Sequence, residues 1–308
     1  MSISALINTR LYFLACYNKD QFKEIKIIKM ASNLKIGFIG QGFIGKNYAN
    51  DFEARGYNIV RYDVDTYQNN KNQIKDCDIV LIAVPTPTTT NGFDDSIVQE
   101  VLSLVGKGKI AVIKSTLKVG TTKKMQNLFP DITIMHSPEF LREKYAALDA
   151  QHPNRNIIGI TDINNPDLYQ KAEKVMSVLA KAPYNLITQV ENAEMIKYGG
   201  NCLLYFRVVF MNMMYDLTEK YNLDYEVVKE AMSKDPRIGD SHLKVVHKGG
   251  RGAGGHCFIK DFEAFIEMLD SHNLAEQKKA AEAIRNLNIK YMRDTNKDLD
   301  LLEGVYGK

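Results

Sequence analysis

At 308 residues, with 45% hydrophobic and 25% charged side chains, the chain suffices for two ordinary domains and a large core that needs no disulfide or metal staple. A net charge of +3 argues against a dedicated nucleic-acid binder and leaves room for a local basic pocket that takes phosphate. Cys16, Cys77, Cys202 and Cys257 are scattered without a CxxC pair, the histidines form no zinc pattern, and no run of about 18 apolar residues suggests a membrane span, so a cytoplasmic, metal-free protein is expected.

Residues 1–30 read as a leader of doubtful structure ahead of Met30, because the apolar stretch Leu11 to Cys16 is short and no small-residue cleavage site follows it. From Lys35 the pattern becomes regular. Ile36 to Ile39 predicts a buried strand, Phe43 to Arg55 a helix, Tyr57 to Asp63 a second strand and Asp78 to Val84 a third. Ile110 to Ile113, Ile132 to Met135 and Asn156 to Thr161 add strands, with helical stretches between them and a helix from Asn165 to Lys181. Short apolar strands alternating with helices predict an α/β fold built on a doubly wound parallel sheet. After Gln189 the character changes to all-helical, with helices over Glu191 to Tyr221, Asp224 to Met232 and Ala275 to Arg293. The expected organisation is a dinucleotide-binding domain over 31–189, a helical domain over 190–293 and a frayed tail over 294–308.

Gly40-Gln41-Gly42-Phe43-Ile44-Gly45 follows the first strand and opens the first helix, the context a dinucleotide fingerprint requires. The first glycine makes the tight turn, the second admits the pyrophosphate, and the third lets helix pack on strand. Asp63 ends the second strand, where a carboxylate hydrogen-bonds a ribose hydroxyl and repels a 2′-phosphate. NAD is therefore favoured over NADP, a preference that Arg61 and Lys71 nearby soften. Val84-Pro85-Thr86-Pro87-Thr88, Lys114-Ser115-Thr116 and Ser137-Pro138-Glu139-Phe140-Leu141-Arg142-Glu143 leave the carboxyl ends of later strands, where open α/β sheets bind ligands.

Glycines crowd in front of Cys257 in Gly252 to Gly255, and a helix beginning there places Lys260 and Asp261 on the cysteine's face. A thiol beside a cation and a helix N-terminus ionises readily, and the thiolate is a nucleophile; a buried structural cysteine is the competing reading. In the long helix Glu194, Lys197 and Asn201 share one face, suited to holding a developing alkoxide or a base water, or to facing solvent.

These pieces in this order, GFIGQGFIG, AVPTPT, VIKSTLKVGTT, SPEFLRE with HPNR, NAEMIKYGGN, DPRIG and GGHCFIKD, resemble the UDP-glucose/GDP-mannose dehydrogenase family, most closely its bacterial UDP-glucose 6-dehydrogenases. The resemblance covers residues 35–293 and implies a Rossmann-type domain, a helical central domain and a homodimer formed through the long helix. It implies oxidation of a nucleotide-sugar primary alcohol to the acid with two NAD. Because an aldehyde offers no tetrahedral oxyanion from which a second hydride can leave, a thiolate makes one. By resemblance Cys257 is that nucleophile, Lys197 and Asn201 polarise the oxygens, Asp261 works with Lys197 on an ordered water, and Glu139 is the acid/base for hydrolysis. Thr116 sits by the nicotinamide, while Val84, Pro85, Thr86, Thr88, Glu143 and Lys260 line the cofactor. Glu139, Phe140, Leu141 and Arg142, with Lys197, Asn201, Lys244 and Gly254, meet the substrate, and Arg237 reaches into a neighbouring subunit's site. Three departures accompany it. The family's third, nucleotide-gripping domain has no counterpart, Asp65 to Asp76 replaces a longer segment, and Gly199-Gly200 interrupts the long helix at about 1 kcal/mol per glycine. The basic loop with His247, Lys248 and Arg251 either holds a phosphate or is solvated. An alternative is an NAD-binding homologue without turnover, acting as a partner subunit, and another is the same chemistry on a different sugar nucleotide or sugar phosphate.

Overall fold

The computed structural model describes residues 34–307; the leader expected over 1–30 lies outside the described residues. Contacts divide the chain into two units. The first comprises residues up to Val84 with Val98–Ser115 and Thr122–Ala193, and the second Pro85–Ile97, Thr116–Thr121 and Glu194–Lys308.

The first unit is built on β1 (Lys35–Ile39), α1 (Phe43–Ala54), β2 (Asn58–Tyr62) and β3 (Ile79–Ile82). It continues through α2 (Ser96–Leu102), β6 (Ile110–Ile113), α3 (Thr121–Leu128), β7 (Thr133–His136) and α4 (Ala146–Gln151), then β8 (Arg155–Ile160), α5 (Pro166–Val178) and β9 (Tyr184–Gln189). A small hairpin of β4 (Thr88–Thr89) and β5 (Gly92–Phe93) belongs to the second unit. The large sheet runs β2-β1-β3-β6-β7-β8-β9. The first five strands in that order are parallel, and their apolar runs (IVLI in β3, IAVI in β6) are buried throughout, as strands covered on both faces must be. Phe38 and Phe52 meet edge to face at 5.2 Å, joining β1 to α1 within a core that includes Ile79, Val112 and Ile158.

The doubly wound α/β architecture is as expected, with two corrections. β8 pairs antiparallel with β7, so β8 and β9 run against the other five strands. β9 itself is not apparent from YNLITQ, whose residues are exposed or half-buried and carry little apolar signal.

In the second unit α6 (Val190–Lys220) carries its core face against α8 (Gly255–Ser271) and α9 (Ala275–Asp294). Tyr205 of α6 stacks flat on Phe262 of α8 at 3.9 Å, and Val209, Ile266, Ala281 and Tyr291 close the cluster. Between them, α7 (Tyr225–Ser233) packs Tyr225 against Met211, Leu243 and Val245. The tail is not frayed: Leu299–Tyr306 forms α10, which packs Leu302, Val305 and Tyr306 on Ile259 and Met292. Apolar residues at 301, 302 and 305 supply the buried stripe that outweighs the surrounding charge.

The glycines of the first turn have distinct duties. Gly40 holds φ +87°, and a Cβ there would lie 2.3 Å from the Ala83 carbonyl; one on Gly45 would lie 1.9 Å from the Gly40 carbonyl, whereas Gly42 faces open space. Gly45→Ala is therefore expected to cost on the order of 2 kcal/mol or more in urea unfolding. Gly42→Ala is expected to fold with little loss yet bind NAD more weakly by calorimetry.

Candidate active site

The carboxyl ends of β1, β2, β3, β6 and β7 lie at one edge of the parallel part of the sheet, so the segments singled out in the sequence emerge there in succession. The strand order reverses at β1, which lies between β2 and β3, the switch point where such sheets take ligands. At that point Gly42 caps α1 with no side chain bonded to the first turn, leaving amides for an anion. Asp63 Oδ2 accepts the Gln41 amide at 2.7 Å, which fixes the carboxylate beside the turn. Arg61 is engaged elsewhere: its guanidinium donates to Gln41 Oε1, Asn50 and Glu53. The residues present thus fit a diphosphate at Gly42 and a ribose diol at Asp63, and Arg61 is already committed to its own carboxylate and amides rather than to a 2′-phosphate. Phe43 is exposed, and Ile44 is half-buried behind the turn.

Further along the same edge, Ser115 Oγ accepts from the Val84 amide at 3.0 Å and donates to the Val84 carbonyl at 2.6 Å. Glu139 is almost fully buried, and its Oε2 accepts the Leu141 amide at 2.8 Å, a bond that curls the loop around the carboxylate. Phe140 lies under the Arg155 guanidinium at 3.8 Å, so the arginine of HPNR shapes the SPEFLRE loop. Arg142 forks onto Asp149, at 2.7 and 3.0 Å, and that hydrogen bond first of all draws the Asp149 carboxyl below its ordinary range. Glu143 is exposed in the short 3-10 turn Glu143–Tyr145. Lys114, placed at the ligand edge by the sequence but given no role there, is buried over the Tyr48 ring at 4.4 Å with Nζ 3.1 Å from Ser137 Oγ.

In the second unit the segments after β3 and β6 are tied together by Thr86 Oγ1, which donates to the Thr116 carbonyl at 2.8 Å. Pro85 opens this stretch and Thr88 starts β4, with Thr86, Thr88 and Thr116 all buried. Glu194 on α6 is fully buried and accepts the Gly120 amide at 2.7 Å, so its polar face is an interior one. Lys197, one turn on, is also buried. Asn201 donates to Asp261 Oδ2 at 2.6 Å, and Lys260 reaches Asp261 Oδ1 at 2.6 Å. The Asp261 carboxylate, 1% exposed, is held on both oxygens, which repays its burial. Cys257 is in the first turn of α8, as expected, and is exposed. Burial pushes the Cys77 thiol up to about 11 and the Cys202 thiol well up too, so neither supplies thiolate near neutral pH.

Arg237 is highly exposed and forks onto its neighbour Asp235, and Lys244 is exposed on the following segment. Arg251 does not wait for a phosphate. Its guanidinium donates to Asn212 and Asp216 and lies over Tyr215 and Tyr291, anchoring the loop ahead of Cys257 to α6 and α9. Asn288 of α9 also grips this loop, donating to the Ala253 carbonyl and accepting its amide at 2.6 Å.

One unit thus carries a dinucleotide-type turn, and the other a helix-opening thiol with the buried Lys197 and Asp261 and the half-buried Asn201. The NAD-binding-domain model of the UDP-glucose/GDP-mannose dehydrogenase family matches residues 66–177, and the central-domain model matches residues 191–290. The chain belongs to that family, and NAD is the cofactor of its first unit. It is 31% identical over 248 residues to the UDP-glucose 6-dehydrogenase YwqF of Bacillus subtilis, covering 75% of this chain and 53% of that protein. It is 29% identical over 246 residues to the putative UDP-glucose 6-dehydrogenase YtcA of the same organism, covering 73% and 52%. Among solved structures, a UDP-glucose dehydrogenase from Pyrobaculum islandicum superposes with a TM-score of 0.73 at 26% identity, covering 85% of this chain and 69% of that one. The chain spans about half the length of these curated relatives.

Asp261→Ala would leave the Asn201 amide and the Lys260 ammonium without their acceptor. It is expected to lower unfolding stability by about 2–3 kcal/mol, read from urea melts.

Proposed function

We propose that the chain is an NAD-dependent dehydrogenase that oxidises the primary alcohol of a nucleotide sugar to the carboxylate, of the UDP-glucose to UDP-glucuronate kind, in the cytoplasm. The observation that carries this reading is the exposed Cys257 in the first turn of α8, one turn from the buried Asp261 that Asn201 and Lys260 hold. Membership of the family supports it, as does the fit of the glycine turn to a diphosphate.

NAD bound at the Gly40–Gly45 turn would take hydride from the reacting carbon, two cofactor molecules serving in succession. The Lys197 ammonium and the Asn201 amide hold the substrate oxygen, and Asp261 with Lys197 orients the water that takes the hydroxyl proton. Cys257 Sγ then bonds to the aldehyde carbon, and the oxygen, held by the same donors, forms a thiohemiacetal. The second oxidation leaves a thioester on Cys257. Water adds to its carbonyl, the C–S bond breaks, and Glu139 moves the proton, releasing acid and thiol. Thr116 would lie by the reacting water and the nicotinamide. Glu143, Lys260 and the Val84 to Thr88 segment would line the cofactor; Phe140 to Arg142, Lys244 and Gly254 would meet the sugar nucleotide.

We also propose a homodimer through α6. Leu203, Phe210, Met213, Leu217 and Tyr221 are exposed at spacings of one face, and the Cβ positions of Gly199 and Gly200 lie in open space. Arg237, exposed beyond α7, then reaches the partner's substrate. Phe210→Glu is expected to sediment as a monomer while keeping its circular dichroism.

The assay supplies NAD with a panel of nucleotide sugars and sugar phosphates and counts NADH formed per sugar. Two are expected, with none completed by Cys257→Ser. Cys257→Ala is expected to yield or bind aldehyde without releasing acid, and Lys197→Ala to slow both oxidations on the order of 100-fold. NAD binding without turnover on any of these substrates would leave the chain a non-catalytic partner subunit.

A further inference from the structure

The turn after α9, Thr295 to Asp298, is set down on the loop that precedes Cys257. Thr295 Oγ1 accepts the Arg251 amide at 3.0 Å, Lys297 Nζ donates to the Gly252 carbonyl at 2.7 Å, and Asp298 Oδ2 accepts the Gly255 amide at 2.8 Å. The glycines of the loop are shaped to this turn. A Cβ on Gly250 would lie 2.6 Å from Lys297 Cβ, and one on Gly254 would lie 2.2 Å from Asp298 Oδ2. The backbone bends to make the fit: Asn296 and Asp298 hold φ of +53° and +48°, left-handed conformations that non-glycine residues adopt at a cost. α10 then packs on α8 and keeps the turn in place.

Lys297 is 5% exposed, and its burial draws the ammonium below the ordinary lysine range. Other charged groups lie around this end of α8, among them Lys248, whose like charge also lowers Lys297. Lys260 pairs with Asp261, and Arg251 is engaged by Asp216. His256 sits beside Cys257 in the first turn. The Asp298 carboxylate thus occupies an amide at the positive end of α8, two residues before the thiol. A negative charge there opposes the help that a helix N-terminus gives a thiolate, and a buried cation beside it acts the other way.

We propose that Lys297 and Asp298 are positioning residues that set how readily Cys257 ionises, Asp298 restraining the thiolate and Lys297 favouring it, while their two hydrogen bonds hold the loop in shape. This rests on Cys257 as the nucleophile, but it is tested without turnover. The initial rate of Cys257 alkylation by iodoacetamide at neutral pH is followed by peptide mass spectrometry on the full chain, in the wild type, Asp298→Asn, Asp298→Glu and Lys297→Met. Asp298→Asn keeps an acceptor for the Gly255 amide and removes the charge, and it is expected to react about threefold faster or more, with Lys297→Met slower by a similar factor and Asp298→Glu near wild type. Melting temperatures identify any variant that has failed to fold, and Asp298→Asn alone then decides the sign. Loosening of the loop would speed both charge-removing variants. Rates that move together, equal rates, or no alkylation of Cys257 in any of the proteins overturn the proposal. The expected rates without sugar turnover would leave it standing and remove the proposed function instead.

Discussion

The hydrogen-bond ladder that holds β1 between β2 and β3 is the constraint from which the rest of the first unit follows. Main-chain bonds continue past the strand ends, with the Gly40 amide on the Tyr62 carbonyl at 2.9 Å and the Ala83 amide on the Ile39 carbonyl at 2.8 Å. The sheet therefore dictates where the glycine turn begins and how close Ala83 comes to it. At that separation only glycine fits at 40 and 45. Because the neighbouring strands are parallel, each delivers its terminal residues to one edge, and Asp63, Ser115 and Glu139 are positioned by backbone geometry before any side chain makes a choice.

The second unit uses a different device. Its helices are locked by aromatic packing, Tyr205 on Phe262 with Phe206 edge-on at 5.2 Å, a few residues from the polar set. Asn201 sits one turn before Tyr205 on its helix and Asp261 directly precedes Phe262 on the other, so the rings set the spacing that their 2.6 Å hydrogen bond needs. A buried carboxylate survives there because both its oxygens are served from two elements at once.

The legible parts were those written in local pattern. The glycine turn, the buried parallel strands, the long helix and the cysteine at a helix start each have a spacing or composition that permits few alternatives. What escaped was decided by partners distant in sequence. The direction of β8 is not encoded in its apolar residues, which serve either orientation equally. β9 is half-exposed and reads as polar chain. Arg251 belongs in a basic loop by sequence, but its role was set by Asp216, 35 residues away along the chain. Lys297 and Asp298 fall in a charged stretch whose meaning depends on glycines more than 40 residues earlier.

The units interleave along the chain: residues 85–97 and 116–121 leave the first to complete the second, and the strand β6 lies between those two departures. No single cut yields two intact pieces. During synthesis the second unit has to keep two early segments in reserve, solvated or loosely held, until α6 and α8 have been made more than 70 residues later. The sheet edge can close early, but the threonines and the Gly120 amide gain their lasting surroundings only when nearly the whole chain has emerged. Completion of the thiol-bearing half is thereby held back until its late helices exist, a delay set by connectivity.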